Sequence, residues 1–316
     1  MRILKIVLVF IAISTVFILG SLLILNHKIN SYEIKSSGGI TSILILGKGG
    51  EGHTAPDLTD TIMLASINLI KNKVSLVSLP RDIWVDSTKA KLNSSYYWDK
   101  KKGGDGFGLS GDSINEITGV KPSYVVVVDF SLFKDVVDTL GGIDVAIENS
   151  FIDEKYPIAG LENDLCNGDK QYKCRYEKIE FNRGIQHMSG DIALKFVRSR
   201  NAVGDEGTDI AREKRQQKVI SAVKNKILSA DFLFNYQKVK LLYGIVTSHI
   251  ETNIDKYDLV AIGRELYRSM NNLNYLSLPE DMLKISQGEK KYDKQYVFVP
   301  KSGSWKELQE WILQNI

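Results

Sequence analysis

Histidine and cysteine are scarce in this sequence, and acidic and basic residues nearly balance. The 316 residues include four histidines and two cysteines, and none stands at the spacing of a zinc site. The net charge of +3 comes from lysines and arginines scattered among acids, which argues against a nucleic-acid-binding protein. No internal repeat or low-complexity tract is present. With 43% hydrophobic residues, the chain is long enough for a globular fold with a real core.

One apolar segment near the N-terminus carries no charge. It covers residues 6–25, and about 20 residues of helix match the ~30 Å hydrocarbon core of a bilayer. A signal peptide would have a shorter apolar region followed by a small-residue cleavage motif, which SLLIL at the end of this segment does not offer. We therefore predict a transmembrane helix over residues 6–26 of a single-pass cell-membrane protein. Because Arg2 and Lys5 precede it, residues 1–5 are expected to be cytoplasmic and the rest of the chain extracytoplasmic.

The two cysteines lie in the predicted extracytoplasmic domain, residues 40–316, which follows a polar linker over residues 27–39. Cys166 and Cys174 belong to a loop-like segment rich in Gly, Asn, Asp and Lys. Disulfides form and persist outside the cytoplasm, so we predict that these two cysteines are bonded to each other. Two unrelated free thiols are the alternative. A metal site is disfavoured because no histidine lies close by.

Three short apolar runs predict neighbouring β-strands. They cover residues 40–47, 61–68 and 73–79, and their length and β-branched content are typical of buried strands. The glycine-rich loop between the first two, KGGEGHTAPDLTD, resembles phosphate-binding loops in composition. It matches neither the Walker sequence nor the GxGxxG sequence that opens a helix. The loop alone therefore does not predict a nucleotide site.

Charged residues stand at the ends of two of these strands. Asp60 precedes the second strand and Arg81 follows the third, so pairing of the two as a hairpin brings both residues to one edge of the sheet. A carboxylate there suits a divalent cation and a guanidinium suits a phosphate oxygen, the combination that phosphoryl transfer requires. The alternative is that Asp60 caps backbone amides and pairs with Arg81. Asp82 is expected to orient its neighbour or to act as a cap.

A strand-helix-strand pattern follows these three strands. The sequence YVVVVDF, residues 124–130, is typical of a strand in a sheet that is covered on both faces. Ser131 is predicted to cap the helix LFKDVVDTL, which stops at Gly141 and Gly142 and is followed by the strand IDVAI. The pattern is that of a βαβ unit and predicts an α/β fold.

Arginines are concentrated in residues 198–217, RSRNAVGDEGTDIAREKRQQ. If residues 196–200 are extended, Arg198 and Arg200 point to one face. Helical spacing from residue 209 onward places three more polar side chains at or beside an apolar stripe: Arg212, Arg215 and Gln216. Guanidinium groups over an apolar face need an anionic partner, and for the whole cluster we favour a phosphate ligand. The alternative partner is a carboxylate of the protein itself.

In combination these motifs resemble those of the LytR-CpsA-Psr family of cell-wall glycopolymer ligases. The resemblance covers residues 40–228 and rests on segments in family order: SILILGKGG…LTDTIMLASIN, VSLVSLPRDIWVD, KLNSSYYW, YVVVVDFSLFKDVVDTLGGIDVAI, HMSGDIALKFVRSRN and DIAREKRQQKVI. It implies an α/β/α sandwich with a central mixed sheet, preceded by one transmembrane helix. Residues 40–228 would form the motif-bearing core, and residues 229–316 would complete the domain.

The resemblance also implies site residues. Asp60 matches the family's metal-binding aspartate, and Arg81 matches the arginine of its Pro-Arg-Asp motif. Four residues match its arginine motifs and would bind a pyrophosphate together with Arg81: Arg198, Arg200, Arg212 and Gln216. Among these, the resemblance implies that Arg81, Arg198 and Arg200 are catalytic.

The chain departs from the family in the loop after the first strand. A further family aspartate has no counterpart there, because Lys48, Gly49 and Gly50 occupy its place. Asp57 or Glu51 is the candidate for a second metal-binding carboxylate. As an alternative, Lys48 neutralises phosphate directly and reduces the need for a metal.

The activity that the resemblance implies is extracytoplasmic phosphotransfer. A membrane-anchored enzyme would move a glycopolymer from a polyprenyl pyrophosphate carrier onto a peptidoglycan hydroxyl with Mg²⁺, or Mn²⁺, as cofactor. The expected partners are the lipid-linked glycan donor, the peptidoglycan acceptor and membrane lipid, and no nucleic acid. Two alternatives use the same residues: a pyrophosphatase of lipid carriers with water as acceptor, and a non-catalytic protein that binds or scaffolds lipid-linked glycans in the cell envelope.

Overall fold

The computed structural model describes residues 34–50, 55–161, 163–227, 229–269 and 272–316. The predicted transmembrane helix over residues 6–26 and the candidate ligand Glu51 lie outside the described residues, as does most of the predicted linker. Among the residues described, no helix combines the length and the apolar character needed to cross a bilayer.

Strands dominate the first part of the described chain and helices become frequent further on. The strands are β1 (Ile40–Lys48), β2 (Thr59–Asn68), β3 (Lys73–Ser78), β4 (Trp84–Val85), β5 (Ala90–Lys91), β6 (Tyr124–Asp129), β7 (Ile143–Ile147), β8 (Phe151–Pro157), β9 (Tyr176–Phe181), β10 (Gly184–Met188), β11 (Glu251–Thr252), β12 (Leu273–Ser277), β13 (Leu283–Ser286) and β14 (Val297–Pro300). The α-helices are α1 (Ser95–Lys101), α2 (Phe107–Thr118), α3 (Phe130–Thr139), α4 (Gly190–Arg198), α5 (Asp209–Ile227), α6 (Ala230–Leu233), α7 (Tyr236–His249), α8 (Lys256–Arg268) and α9 (Lys306–Asn315).

These elements group into two compact units. The sheet unit contains residues 34–48, Asp57–Val128 and Glu251–Ile316. The arginine unit contains Asp129–Ile250 together with residues 49–50 and 55–56.

The sheet unit is built on a six-stranded sheet with the strand order β11-β6-β1-β2-β3-β12. Strands β1, β2 and β3 pair antiparallel in sequence. Strand β11 also pairs antiparallel with β6, whereas β12 pairs parallel with β3. The sheet is therefore mixed, which confirms the predicted α/β class with a mixed central sheet. The three apolar runs of the sequence form β1, β2 and β3.

The core of the sheet unit explains why these strands are apolar throughout. In β1, residues 41–46 are all buried, so both faces of the strand are covered. A strand that is buried on both faces reads as a continuous apolar run rather than an alternating one. One face packs against α2 and α9 through these side chains: Leu44, Leu46, Ile62, Leu64, Ile114, Ile117, Leu308 and Ile312.

The arginine unit contains two-stranded sheets, β7 with β10 and β8 with β9. Strand β7 pairs antiparallel with β10, so the prediction that it continues a βαβ unit with β6 and α3 is wrong. The burial pattern gives the physical reason, because Ile143, Val145 and Ile147 are buried while the residues between them are exposed. That alternation is typical of an antiparallel strand with one face in water.

Helix α3 begins two residues earlier than the sequence suggests. Asp129 is its N-cap, and its carboxylate accepts a hydrogen bond from the backbone N–H of Leu132 at 2.9 Å. The hydroxyl of Ser131, which was predicted to be the cap, instead donates to Asp129 at 2.6 Å. An ionised cap also interacts favourably with the positive end of the helix dipole, so the aspartate is the better cap of the two.

Helix α4 approaches α3 closely at Gly190. A Cβ atom at this position would lie 2.3 Å from the backbone oxygen of Lys134. The backbone N–H of Gly190 donates to the carboxylate of Asp138 at 2.7 Å, which holds the first turn of α4 against α3. The spacing of the two helices therefore depends on the absence of a side chain.

Replacement of Gly190 by alanine should destabilise the protein by about 1–3 kcal/mol, because the added methyl group overlaps backbone that cannot move independently. Gly244→Ala is the matched control. Gly244 lies in α7, and a Cβ atom there would have no neighbouring atom within 4 Å, so alanine should stabilise by about 0.5–1 kcal/mol. Denaturant unfolding followed by circular dichroism measures both, and equal effects of the two substitutions would contradict the expected close approach.

Candidate functional site

Strand β1 ends in a bulge that carries Lys48. The pairing register between β1 and β2 shifts between Gly47, opposite Thr61, and Lys48, opposite Thr59. A Cβ atom at Gly47 would lie 2.6 Å from the Cβ of Thr61, so only glycine fits this approach. Bulges are common where a strand re-aims a side chain near a functional site.

The ammonium group of Lys48 is bound by carboxylates of the sheet unit. It donates to Glu251 at 2.6 Å, to Asp57 at 3.3 Å and to the hydroxyl of Tyr96 at 3.4 Å. The lysine side chain is only 15% exposed. A phosphate could recruit Lys48 only in competition with these partners, and the carboxylate of Asp57 is already engaged.

Glu251 is the centre of this network. Its carboxylate also accepts hydrogen bonds from Tyr96 at 2.7 Å and from Lys100 at 3.2 Å. Burial alone would raise the pKa of Glu251, but the hydrogen bonds from Lys48 and Tyr96 and the charge of Lys48 outweigh it and lower the pKa to about 2. Burial, together with Glu251, raises the pKa of Tyr96. The glutamate is therefore ionised and the tyrosine neutral at physiological pH.

Asp60 and Arg81 meet at the edge of the sheet unit, as the hairpin prediction requires. The guanidinium of Arg81 donates to Asp60 at 2.5 Å and to Asp82 at 3.3 Å, and Lys91 binds the other oxygen of Asp82 at 2.8 Å. Burial opposes the charge of Arg81, but the hydrogen bond and charge of Asp60, with those of Asp82, raise its pKa. The two side chains thus form an ion pair, which is the alternative that the sequence left open, and Asp82 orients its neighbour.

The backbone around this pair is tied to the adjacent loop. The N–H of Asn93 donates to the carbonyl oxygen of Arg81, and the hydroxyl of Thr59 donates to the carbonyl oxygen of Asn93, both at 3.1 Å. Thr59 and Asn93 are buried. Through Asn93, these bonds link Thr59, the residue before Asp60, to Arg81. The backbone around the ion pair is therefore held in place by hydrogen bonds.

Two carboxylates that the sequence predicts as ligands of a divalent cation, Asp60 and Asp57, lie in the described part of the sheet unit. The side chain of Asp60 is 29% exposed, and its hard oxygen atoms suit Mg²⁺, which commonly binds to one or two carboxylates, water and substrate phosphates. The side chain of Asp57 is 37% exposed and is bound by Lys48 at 3.3 Å, so each of these two carboxylates is already paired with a cation of the chain. Among the described residues, one group of three potential ligands lies close together, Asp164 with Cys166 and Cys174. Its cysteines are joined in a disulfide and supply no thiolate.

The chain at Arg198 is helical rather than extended, so the condition under which alternation would place Arg198 and Arg200 on one face is not met. Ser189 caps α4, and the helix continues to Arg198, with Ala193, Leu194 and Val197 buried at helical spacing. The guanidinium of Arg198 lies 4.7 Å from the centre of the Phe130 ring. Arg200 follows two residues after the helix and is exposed. The two arginines therefore lie on either side of a helix end.

Arg215 is bound inside the protein and is not available to a ligand, which corrects its placement among the candidate phosphate ligands. It is 3% exposed, and its ion-pair partner is Glu206, at 2.9 Å. Burial lowers the pKa of Arg215, and Glu206 opposes that effect. The inward direction predicted from the apolar stripe is correct, but the anion is a carboxylate of the chain itself.

The remaining predicted ligands lie on α5. Arg212 and Gln216 are four residues apart in this helix, which is close to one turn. Their side chains lie outside the described part of the structure. Asp60 and Arg81 belong to the sheet unit and the arginines at positions 198, 200 and 212 to the arginine unit, and a common role for both groups stays a prediction.

The loop between β8 and β9 contains the predicted disulfide. Cys166 and Cys174 are bonded, with their Cα atoms 5.5 Å apart, which confirms the predicted pairing. Arg175 donates to the carbonyl oxygen of Asp164 at 2.7 Å, and this bond closes the same loop. The crosslink therefore stabilises a local excursion of the arginine unit.

Comparison with known proteins defines the class of this protein. The sequence profile of the LytR_cpsA_psr family matches residues 22–311, which include the arginine unit and all but the last five residues of the sheet unit. The chain belongs to the LytR_cpsA_psr family, as its motifs predict.

Individual relatives agree with this assignment. A polyisoprenyl-teichoic acid–peptidoglycan teichoic acid transferase TagU from Bacillus cereus is 26% identical over 261 residues, which cover 81% of this chain and 74% of the relative. The TagU of Enterococcus faecalis is 26% identical over 234 residues, covering 72% and 66%. The crystal structure of Bacillus subtilis TagV superposes with a TM-score of 0.54 at 22% identity and covers 88% of this chain and 98% of TagV. The two TagU relatives are named as transferases, which confirms the prediction of an enzyme of the transferase class.

Two residues that bind Lys48, Glu251 and Tyr96, could not be found by sequence reasoning. Glu251 lies 203 residues from Lys48, and no motif marks it. Tyr96 belongs to an aromatic segment, KLNSSYYW, whose spacing gives no indication that one ring is buried against charged groups. The unusual lysine after β1 was the only available signal, because a half-buried ammonium requires carboxylates nearby.

Replacement of Glu251 by glutamine should lower the free energy of unfolding at neutral pH by about 1 kcal/mol, since charged hydrogen bonds are lost at a partly exposed site. The pKa of Glu251 is lowered on folding, from 4.5 to about 2. Its contribution is therefore complete above the unfolded value and is lost as the pH falls toward about 2. The stability difference between wild type and Glu251→Gln should shrink across that window.

Urea unfolding at pH values from 7 to about 2.5 measures this difference, and Glu310→Gln is the control because Glu310 is exposed on α9. A Glu251→Gln difference that stays constant over the whole range would show that ionisation of Glu251 does not stabilise the fold.

Proposed function

We propose that the chain is a membrane-anchored extracytoplasmic phosphotransferase that moves a glycopolymer from a polyprenyl pyrophosphate carrier onto peptidoglycan. Support comes from the family match over residues 22–311 and from relatives named as polyisoprenyl-teichoic acid–peptidoglycan transferases. The observation that carries the proposal is that Arg198 and Arg200 lie together at the end of α4, with Arg200 exposed. Clustered guanidinium groups suit the oxygen atoms of a diphosphate.

In the proposed reaction an acceptor hydroxyl attacks the phosphorus nearest the glycan. A new P–O bond forms to the acceptor, the bond to the polyprenyl phosphate breaks, and that phosphate leaves with the electron pair. The hydroxyl proton passes to solvent or to a base. Negative charge increases on the nonbridging oxygens and on the leaving group, where positively charged side chains stabilise the transition state most.

The family motifs assign these charges to residues of this chain. Arg198, Arg200 and Arg212 bind the diphosphate, and Gln216 orients an arginine or an oxygen. Arg81 contributes by exchanging the carboxylate of Asp60 for a phosphate oxygen. Such an exchange costs little because both partners are partly exposed, where ion pairs are weak.

Mg²⁺ is the proposed cofactor, and Asp60 is the residue that would hold it. The ion would neutralise charge on the diphosphate oxygens. Because Asp60 and Asp57 are each already paired with a cation of the chain, we expect the protein to bind Mg²⁺ weakly by itself and more tightly together with a diphosphate.

Arg200→Ala should lower the rate of polyprenyl phosphate release from a lipid-linked donor by roughly 10²–10³-fold, the usual cost of removing a group that stabilises transition-state charge. The assay uses the full chain in detergent with peptidoglycan fragments, and chromatography measures the released lipid. Arg183→Ala is the matched control, because Arg183 is exposed between β9 and β10 of the same unit. It should turn over like wild type.

Three other results would contradict the proposal. Wild-type turnover by Arg200→Ala would remove the arginine from the mechanism. Equal release with and without peptidoglycan fragments would indicate a pyrophosphatase that uses water. Donor binding without turnover at any Mg²⁺ concentration would indicate a binding protein.

Asp60→Asn should weaken Mg²⁺ binding measured by calorimetry in the presence of inorganic pyrophosphate by about tenfold or more, because the carboxylate ligand is lost. Without Mg²⁺, pyrophosphate should bind the variant at least as well as wild type, since Arg81 no longer pairs with Asp60. Asp86→Asn is the control, as Asp86 pairs with Lys89 at the surface. Indistinguishable Mg²⁺ titrations of wild type and Asp60→Asn would exclude Asp60 as a ligand.

A further inference from the structure

The turn between Arg198 and Asn201 has its backbone bound from two sides by buried charged residues. We propose that Asp153 and Arg215 are positioning residues, which fix this turn so that Arg198 and Arg200 are oriented for a diphosphate. Neither residue contacts the ligand in this proposal. This inference rests on the proposed function, because it explains why the turn is held in one conformation.

Asp153 binds the donor groups of the turn. It lies in β8 and is completely buried. One carboxylate oxygen accepts hydrogen bonds from the hydroxyl of Ser199 at 2.7 Å, from the N–H of Arg200 at 3.2 Å and from the N–H of Asn201 at 3.1 Å. The other oxygen accepts from the N–H of Lys155 at 3.0 Å. A buried carboxylate needs this many donors, and it finds most of them in one turn.

Arg215 binds the acceptor groups at the same helix end. Its guanidinium donates to the carbonyl oxygen of Phe196 at 3.1 Å and to that of Ser199 at 2.9 Å. The last carbonyl groups of a helix have no partner within the helix, and here a side chain of α5 supplies one. Two further bonds reach Glu206, to its carbonyl oxygen at 2.7 Å and to its carboxylate at 2.9 Å.

Aromatic rings complete the environment of Arg215. The guanidinium carbon lies 4.7 Å from the centre of the Phe151 ring and 6.0 Å from that of Phe196. These rings also contact Phe181. The planar group is thus held in one orientation by contacts on its faces and by hydrogen bonds at its edges.

Ser199 shows why this arrangement controls the two arginines. It stands between Arg198 and Arg200 and is fully buried. Its hydroxyl is bound to Asp153 and its carbonyl oxygen to Arg215. With one residue fixed in this way, the backbone on either side cannot rotate without breaking a buried hydrogen bond, which is costly. The directions in which both arginine side chains leave the backbone are therefore set by residues from β8 and α5.

The alternative is that these buried charges only stabilise the fold. Buried ion pairs are often no more stabilising than apolar residues of the same volume, so fold stability alone explains them poorly. A double-mutant cycle separates the two roles, because a positioning effect must act through the arginines whereas a stability effect does not.

The test uses the full chain with the substitutions Asp153→Asn and Arg215→Gln, each alone and combined with Arg200→Ala. Affinity for inorganic pyrophosphate is measured by calorimetry, kcat and KM by lipid-linked donor turnover, and folding by thermal unfolding. Asp144→Asn and Lys218→Gln are matched controls from the same unit, paired with His187 and Glu148 respectively, and should match wild type.

We expect each single substitution to weaken pyrophosphate binding and lower kcat by about tenfold at temperatures where the variant is folded. In the Arg200→Ala background the additional loss should be clearly smaller than tenfold, because only Arg198 is left to be misoriented, while the decrease in Tm remains. Arg215→Lys should not restore function, because an ammonium cannot reproduce the forked hydrogen bonds. Ser199→Ala removes one hydrogen bond to Asp153 and should give a smaller loss of pyrophosphate affinity and kcat. If Asp153→Asn does not fold, Ser199→Ala takes its place in the test.

Two results would overturn the inference while leaving the proposed function intact. One is wild-type affinity and kcat in folded Asp153→Asn, Arg215→Gln and Ser199→Ala. The other is a loss that persists undiminished in the Arg200→Ala background, which would show a general structural effect. Wild-type turnover by Arg200→Ala itself would instead overturn the proposed function, and the inference with it.

Discussion

A single buried guanidinium, that of Arg215, joins the end of α4 to the segment before α5. Removing this charge from water is expensive, and it is stable there because Glu206 and backbone carbonyl groups surround it. The dependence is mutual, since those carbonyl oxygens would otherwise be buried without donors. The two helices and the turn between them therefore have one favourable arrangement. This arrangement fixes the backbone at Arg198 and Arg200. The part of the site that they form therefore exists before an anion binds.

Lys48 and Arg81 of the sheet unit differ from Arg215, because each is paired with carboxylates at a partly exposed position. Lys48 is bound to Glu251 and Asp57, and Arg81 to Asp60 and Asp82. Pairs of this kind hold each positive group in a defined position. They also reduce the free energy gained when a phosphate binds. The phosphate must displace a carboxylate, so it gains only the difference between the two attractions. A diphosphate carries several charges and would therefore displace the carboxylate more readily than a ligand with one carboxylate group.

Sequence reasoning succeeded where a local pattern determines the outcome. The apolar runs of β1, β2 and β3 predict buried strands, and the hairpin geometry follows, so Asp60 and Arg81 meet as expected. It failed where a distant residue decides. The extension of α4 to Arg198 depends on carbonyl groups that Arg215 binds from another helix, and Lys48 is neutralised by Glu251, 203 residues away. Spacing indicated that Arg215 points inward but not which anion it meets, because both partners satisfy the same physical requirement.

The ion pair at the edge of the sheet also has a consequence for how the protein responds to salt. Both side chains are partly exposed, 44% for Arg81 and 29% for Asp60, so dissolved ions screen their attraction over a Debye length of about 8 Å at physiological ionic strength. The same ions screen the attraction between the guanidinium and an arriving phosphate. Because Asp60 and the proposed phosphate ligand are screened together, the affinity of Arg81 for that phosphate would change less with ionic strength than the charge of Arg81 alone would indicate.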